Sequence, residues 1–192
     1  EPLPCDGSVR YYLDVFAPGD PDHLFAAILR EVEFVQEHIV MFGNRSPVPR
    51  LSAWHGDPGR AYTYSGITQS PRPWTPALEN IRARIEPICG ATFNSVLVNL
   101  YRDGRDSVAW HSDDEPELAA TQVIASVSFG ATRRFKLRHR GCEARADVEL
   151  TDGSLLVMAG QTQQHWHHCV PKTARPVGAR INLTFRWVTL VG

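Results

Sequence analysis

The period of the hydrophobic pattern changes near residue 90. Before it, two stretches place apolar residues at helical spacing: Leu24, Ile28, Val32 and Val35, then Leu78, Ile81, Ile85 and Ile88. Each opens with a capping side chain and a proline, Asp20-Pro21 and Thr75-Pro76, and the second stops at Gly90. The spacing predicts helices over 20–33 and 76–89, with a strand over 11–16 ahead of the first. Between the helices the pattern breaks. Residues 39–50 carry two prolines and a glycine, which predicts a loop or a hairpin with a broken ladder, and 54–70 reads as loop around a short aromatic strand, Tyr62-Thr63-Tyr64. After Gly90 the chain predicts strands at 96–102, 108–112, 123–129, 133–138, 144–150, 154–158, 165–170 and 180–188. Turn residues such as Asp103-Gly104, Gly130-Ala131 and Asp152-Gly153 separate them. Short strands with regular turns suggest a sandwich or jelly roll. Helices first and strands after make the class α+β, with the helices packed on one sheet.

Composition narrows this picture only slightly. The chain has 192 residues, enough for one well-cored domain. A net charge of −1 gives no whole-molecule signature of a nucleic-acid binder. Lys136 and Lys172 are the only lysines, so the positive charge is nearly all arginine. That bias fits a GC-rich genome, and it also fits forked recognition of phosphates or carboxylates. Cys5, Cys89, Cys142 and Cys169 show no paired spacing and are read as reduced thiols. No apolar run approaches the ~20 residues of a membrane span, and the first residues show neither a basic segment nor an apolar core of a signal peptide. The expectation is a protein without a membrane segment, cytoplasmic in a bacterium or nuclear in a eukaryote.

The candidate chemistry starts at His111-Ser112-Asp113. A His and an Asp two apart in a strand face the same side, so both could reach one metal ion. They are two-thirds of the 2-His-1-carboxylate triad of non-haem Fe(II). A third ligand should come from far along the chain, where Gln164-His165-Trp166-His167-His168 offers three histidines. In a strand His165 and His167 share one face and His168 takes the other; periodicity does not say which face meets the metal. In the last strand Arg180, Asn182, Thr184 and Arg186 alternate with Ile181, Leu183 and Phe185. That pattern describes an edge strand with a solvated face. It equally describes a strand lining a barrel interior, whose arginines would then need anionic partners such as a dicarboxylate.

These residues resemble the AlkB-type Fe(II)- and 2-oxoglutarate-dependent dioxygenases, which demethylate alkylated nucleic acids. The matching pieces are Tyr62-Thr63-Tyr64-Ser65-Gly66, Asn99-Leu100-Tyr101, His111-Ser112-Asp113-Asp114-Glu115, the run Ile124 to Gly130, Gly153-Ser154-Leu155-Leu156, His168 before Pro171, and Arg180 to Arg186. The resemblance implies a double-stranded β-helix (jelly roll) with two supporting helices and an N-terminal nucleotide-recognition lid. It implies one dioxygenase domain over 1–192, with the lid at 37–70 and the jelly-roll core at 94–188. His111, Asp113 and His168 are implied as the iron ligands and the catalytic centre. Arg180, helped by Tyr101, is implied to clamp the far carboxylate of 2-oxoglutarate, and Asn99 and Arg186 to contact its keto-acid end, with Asn182 and Thr184 nearby. Tyr62, Tyr64 and His111 are implied to wall the flipped base. Asp114 and Glu115 are implied to lie near it and to favour cationic lesions such as 1-methyladenine and 3-methylcytosine. The implied reaction couples decarboxylation of 2-oxoglutarate, with O2 at Fe(II), to hydroxylation of an N-methyl group that leaves as formaldehyde.

Within the family, the loop Met41-Phe42-Gly43 resembles the branch that acts on duplex DNA, where an apolar finger fills the gap left by the flipped base. Arg50 matches a basic residue behind that finger. The loop after Arg138-His139-Arg140 is shorter here than in that branch, where it grips the second strand. The implied partner is therefore alkylated DNA, single- or double-stranded, with RNA as a further candidate and a monomer as the expected state. The rival readings are the same chemistry on RNA or a protein side chain, and a non-catalytic jelly-roll binder; the intact triad with both arginines argues against the last.

Overall fold

The computed structural model describes residues 3–41, 43–59, 62–64, 67–114, 118 and 122–189. In chain order the elements are β1 (Ser8–Tyr12), α1 (Asp20–Glu31), β2 (His38–Met41), β3 (Asn44–Pro47), β4 (Leu51–Gly56), β5 (Tyr62–Tyr64), β6 (Ile67–Gln69) and α2 (Pro76–Cys89). There follow β7 (Ser95–Tyr101), β8 (Val108–His111), β9 (Ile124–Gly130), β10 (Arg133–His139), β11 (Arg145–Leu150), β12 (Ser154–Ala159), α3 (Thr162–His165), β13 (Trp166–Val170) and β14 (Arg180–Arg186). A six-stranded sheet runs β1-β12-β9-β14-β7-β4 and a four-stranded sheet runs β11-β10-β13-β8; β2-β3 and β5-β6 form two small hairpin sheets. The paired strands are antiparallel, and the architecture is the expected jelly roll, class α+β.

Strand alternation divides the six-stranded sheet into two chemically different faces. One face sends Val96, Val98, Ala125, Val127, Phe129, Leu155, Val157, Ile181, Leu183 and Phe185 into a core closed by Ile28 of α1 and Leu78, Ile81 and Ile85 of α2. Those four helical side chains are fully buried, each contributing roughly 1.5–3 kcal/mol of hydrophobic stabilisation. The two supporting helices thus pack on one sheet, as the helical spacing predicts. The other face looks toward the four-stranded sheet. Near β1 and β12 it is apolar, with Val9, Ile124, Leu156 and Met158 packed among Phe135, Leu137, Leu150, Trp166 and Val170. Toward β9, β14 and β7 it turns polar, with Ser126, Ser128, Arg180, Asn182 and Asn99 buried. The helices hold the sheet from behind, and the polar half of its inner face is left for chemistry.

Some boundaries differ from the sequence expectation. The first strand is Ser8–Tyr12, set by its register with β12 from Ser8↔Ala159 to Tyr12↔Leu155. Val15 and Phe16, expected in that strand, turn away to the helix-side core. Gly19 rather than Asp20 caps α1, because its φ of 86° is open to glycine at no steric cost. In α2 the Thr75 side chain accepts from Leu78 N at 3.4 Å, as a cap should, and Gly90 follows the last turn at φ 64°. Leu51–Gly56, half of it read as loop, is the edge strand beside β7; its Leu-Ser-Ala-Trp-His-Gly order lacks the apolar alternation that marks a strand. His165 ends the short helix α3 instead of starting β13. The last strand is not an edge: β14 is paired along its length to both β7 and β9. At the turn that follows β9, Gly130 has φ 81°, and a Cβ there would sit 2.5 Å from the Ala179 carbonyl oxygen. Gly130 is also the register partner of Arg180, so this close approach fixes where β14 begins. Cys5, Cys89, Cys142 and Cys169 are all thiols. None of the described helices is long and apolar enough to cross a membrane.

Candidate metal and cosubstrate site

His111 ends β8 and His168 lies in β13, and the two are direct partners across the ladder between these strands. Their rings meet edge to face with centroids 4.3 Å apart. Asp113 follows His111 by two residues, and its carboxylate completes the group: Oδ1 is 3.8 Å from His111 Nε2 and Oδ2 is 3.9 Å from His168 Nε2. Ligand atoms of the three residues lie within 4.8 Å of one another, close enough for one ion to span them. The donor set, two imidazoles and a carboxylate, suits Fe(II) with open positions. His111 Nδ1 is 2.9 Å from the Ala109 carbonyl, which as an acceptor fixes the proton there and leaves Nε2 as the free lone pair. Strand alternation left the choice within the histidine cluster open; the register of β13 on β8 brings His168 to His111 and Asp113. His165 instead stacks on His139, centroids 5.8 Å apart.

The electrostatics hold this set ready for a cation. Burial pushes the His168 imidazole down to about 3, with Asp113 pulling the other way, so it stays neutral with a lone pair to give. Asp113 is also buried, which opposes ionisation. Arg186, His168 and His111 outweigh that cost and hold its pKa below the ordinary carboxylate value. Arg186 Nη2 donates to Asp113 Oδ1 at 2.7 Å, and the Asp113 backbone N–H donates to Gln163 Oε1 at 3.0 Å. A consequence follows for the metal-free protein. Its folded state favours neutral His168 whereas an unfolded histidine protonates below about 6.5. The unfolded chain therefore binds more protons through the window from about 6.5 to about 3, and stability is lost as pH falls through it. Thermal melting of chelator-treated protein should show this decline, and His168→Gln should flatten it; an unchanged slope in that variant would rule His168 out as its source.

The polar face of β14 runs from this triad into the buried space between the two sheets. Arg180 is fully buried. Its Nη2 donates to Ser128 Oγ at 2.9 Å and to Asn182 Oδ1 at 2.8 Å, and the Tyr101 side chain is a further hydrogen-bond partner of the guanidinium. Its guanidinium carbon lies 5.2 Å from the Tyr101 ring centroid, and that of Arg133 lies 5.6 Å from the same ring. Among the described residues no carboxylate pairs with Arg180. Burial pulls its pKa to about 10, so it stays a cation. Asn182 Nδ2 donates to Thr184 Oγ1 at 3.0 Å, and Ser126 Oγ donates to Asn182 Oδ1 at 3.2 Å. Asn99, opposite Asn182 across the β7–β14 ladder, accepts from Arg50 Nε at 2.8 Å. A buried cation with no carboxylate beside it is expensive unless something anionic completes it. The residues fit a dicarboxylate reaching from Arg180 toward the triad.

The residues expected on the nucleic-acid side are less uniformly placed. Arg50, expected behind the finger, reaches Asn99 and, at 3.5 Å, the Ser107 carbonyl. Asp114 accepts from Arg140 Nη2 at 2.6 Å and from Ser112 Oγ at 3.2 Å, so part of its charge is already compensated. Met41, Tyr62 and Tyr64 lie on the small hairpin sheets, with their side chains outside the described residues, as are Phe42 and Glu115 altogether. Sequence reasoning missed Gln163, Ser126, Ser128, Arg133 and Arg140. The two serines could have been found as the polar members of the alternating run Ile124 to Gly130. Gln163 carries no signal of its own, since three glutamines crowd that stretch.

With this geometry in view, the comparisons are consistent. The sequence profile of the 2OG-Fe(II) oxygenase superfamily matches residues 8–186. The DNA oxidative demethylase ALKBH2 of Mus musculus is 44% identical, over 97% of this chain and 80% of that protein. The human protein of the same name is 41% identical, over 93% and 73%. The human alpha-ketoglutarate-dependent dioxygenase alkB homolog 3 is 49% identical over 73% of this chain and 52% of its own. The solved structure of OsALKBH1 superposes with a TM-score of 0.63 at 18% identity, covering 93% of this chain and 97% of that one, a likeness of fold. The chain belongs to the 2OG-Fe(II) oxygenase superfamily, in its AlkB-type branch, and its cofactors are Fe(II), 2-oxoglutarate and O2.

Proposed function

We propose that the protein removes N-alkyl groups from DNA bases, 1-methyladenine and 3-methylcytosine among them. 2-Oxoglutarate and O2 would be converted to succinate and carbon dioxide, and the methyl group released as formaldehyde. The observation that carries the reading is the strand β14. At one end Arg180 is buried with no carboxylate partner among the described residues, and at the other Arg186 holds Asp113 beside His111 and His168. In this reading His111, Asp113 and His168 hold the iron, which when bound with its cosubstrate supplies the oxidising chemistry. Arg180 binds the distal carboxylate by a fork; Tyr101 walls that pocket with its ring, and Asn182, held by Arg180 and Ser126, keeps the polar face in register. Arg186 neutralises Asp113 in part and orients it. Phe135, whose ring lies 5.2 Å from that of His168, shields the site from water on the β10 side.

DNA is the substrate named for ALKBH2 relatives at 41–44% identity, which supports the same substrate here. A cleft lined by Arg138, His139, Arg140 and His167 adjoins β13, a place for backbone phosphates. Arg138 lies over the half-exposed Trp110 ring at 4.4 Å. A methylated base that cannot pair is the cheapest to take out of the stack, which gives the lesion its selectivity. With Asp114 already engaged by Arg140, Glu115 is the carboxylate we assign to favouring cationic lesions. Action on DNA would place the protein in the nucleus of a eukaryote or the cytoplasm of a bacterium, and we expect it to act as a monomer.

The test is formaldehyde and succinate release from matched single- and double-stranded oligonucleotides carrying one 1-methyladenine. Release that is no greater than with unmethylated DNA would overturn the reading. In the same assay we assign Phe42 as the finger that fills the vacated stack. Phe42→Ala should lower the duplex rate by about ten-fold, equivalent to ~1.4 kcal/mol, and leave the single-strand rate nearly intact. Equal loss on both substrates with a lower melting temperature would show that Phe42 packs under its own loop.

A further inference from the structure

A second group of metal-ligating side chains lies at the end of β10, where His139 pairs with Trp166, two residues along β13 from His168. Cys5, His139 and Cys142 present ligand atoms within 4.8 Å of one another. Cys5 comes from the segment before β1, His139 from the last position of β10, and Cys142 from the turn between β10 and β11. The two sulfurs are 4.0 Å apart. Sulfurs bound to one tetrahedral zinc, with Zn–S bonds of about 2.3 Å, sit ~3.8 Å apart, whereas a disulfide needs ~2.05 Å. The sulfur spacing therefore matches shared coordination.

The histidine is prepared in a way that a bystander would not be. Its side chain is 8% exposed. Nδ1 accepts from the Gly141 backbone N–H at 3.0 Å, so its lone pair faces the turn that carries Cys142. Nε2 lies 3.2 Å from Asp6 Oδ2, off the axis of a hydrogen bond, and has no hydrogen-bond partner. The Asp6 carboxylate thus sits beside the ring edge away from Nδ1, where a carboxylate can orient a metal-binding imidazole. The ring is stacked on His165 and packed edge-on to Trp166. The cysteine is held independently. Trp166 Nε1 donates to the Cys5 and Asp6 carbonyls, both at 3.1 Å, and Ser8 N donates to Thr162 Oγ1 at 2.9 Å. Asp6 adopts φ 42°, a left-handed turn that bends the segment back over β10.

We propose that Cys5, Cys142 and His139 Nδ1 bind one Zn²⁺, with Asp6 orienting the imidazole and the fourth position open to water. Two thiolates and an imidazole select zinc over the hard cations, and the Fe(II) triad contains no sulfur. The Gly141 N–H yields Nδ1 to the ion. Bound zinc ties the N-terminal segment to the β10–β11 turn. That turn begins at Arg140, which holds Asp114 and Ser112 beside the catalytic strand end. The site thus stiffens the mouth of the active site through Arg140, without touching substrate.

The test uses the untagged, reduced full chain exchanged into Co²⁺. The expected result is a thiolate-to-cobalt charge-transfer band, absent in Cys142→Ser and in Cys5→Ser but kept in His168→Ala, which removes a ligand of the iron triad only. Elemental analysis of the Fe-loaded protein after Zn²⁺ addition and dialysis should find one zinc per chain, lost in Cys142→Ser while iron is retained. Cys142 is exposed, so this serine variant should fold as the parent does, as its melting temperature in the presence of chelator will show. A reduced protein with no charge-transfer band overturns the proposal, as does zinc retained in both serine variants.

Discussion

Replacing His168 with alanine should lower succinate release by about a thousand-fold or more, equivalent to ~4 kcal/mol of barrier, whereas His165→Ala should turn over as the parent does. The two residues are three apart in one histidine-rich run, so the contrast isolates position from composition. His168 is buried, faces His111 across the ladder, and lies 3.9 Å from Asp113. Removing it takes away a ligand atom and leaves the Asp113 carboxylate between Arg186 and His111. His165 ends α3 and stacks on His139, beyond the reach of the triad. Iron titration under anaerobic conditions separates this from unfolding: His168→Ala should bind iron weakly while melting cooperatively. If the His165 variant is the inactive one, the ligand assignment is wrong.

Arg180→Lys should raise the KM for 2-oxoglutarate by roughly 10- to 100-fold. That is the loss of one charge-assisted hydrogen bond, about 1.5–3 kcal/mol. Lysine keeps the charge but lacks the fork, and its compact ammonium cannot hold Ser128 and Asn182 in place while it grips a carboxylate. Affinity for methylated DNA should change little, because Arg180 sits deep between the sheets and away from the cleft lined by Arg138 and His167. Titrations with each ligand decide it: equal losses for both would mean that Arg180 supports the fold rather than the cosubstrate.

How much of this was readable in the sequence depends on what each feature rests upon. The two helices and the strands after Gly90 are local patterns, and their apolar periods survive into the core of Ile28, Ile81, Val127 and Leu183. The pairing of His111 with Asp113 is equally local. The choice of His168 is not. It depends on the register of β13 against β8, with the irregularity that follows His168, and no period encodes that offset. The resemblance to a known family supplied it instead. The two readings of Arg180 to Arg186, edge strand or barrel lining, have the same alternation; only the positions of β7 and β9 on either side separate them. Leu51–Gly56 escaped because an edge strand held by backbone pairing needs little from its side chains. Gln163 and Arg140 reach the site from α3 and a turn, and nothing in their neighbours marks either one.

β14 also sets how this chain can change length. Six residue steps separate Arg180 from Arg186, ~20 Å at 3.3 Å per residue, and every second side chain serves the pocket. Losing or gaining a single residue inside it would rotate the downstream set onto the helix-facing side, delivering Ile181, Leu183 and Phe185 to the pocket and charges to the core. Cosubstrate grip and carboxylate orientation would fail together, whatever the new residue was. The exposed residues 174–176 just before it carry no such constraint. Drift in this lineage should therefore accumulate as indels in the connection and as substitutions, never as frame slips, in the strand: a ruler tolerates repainting but not resizing.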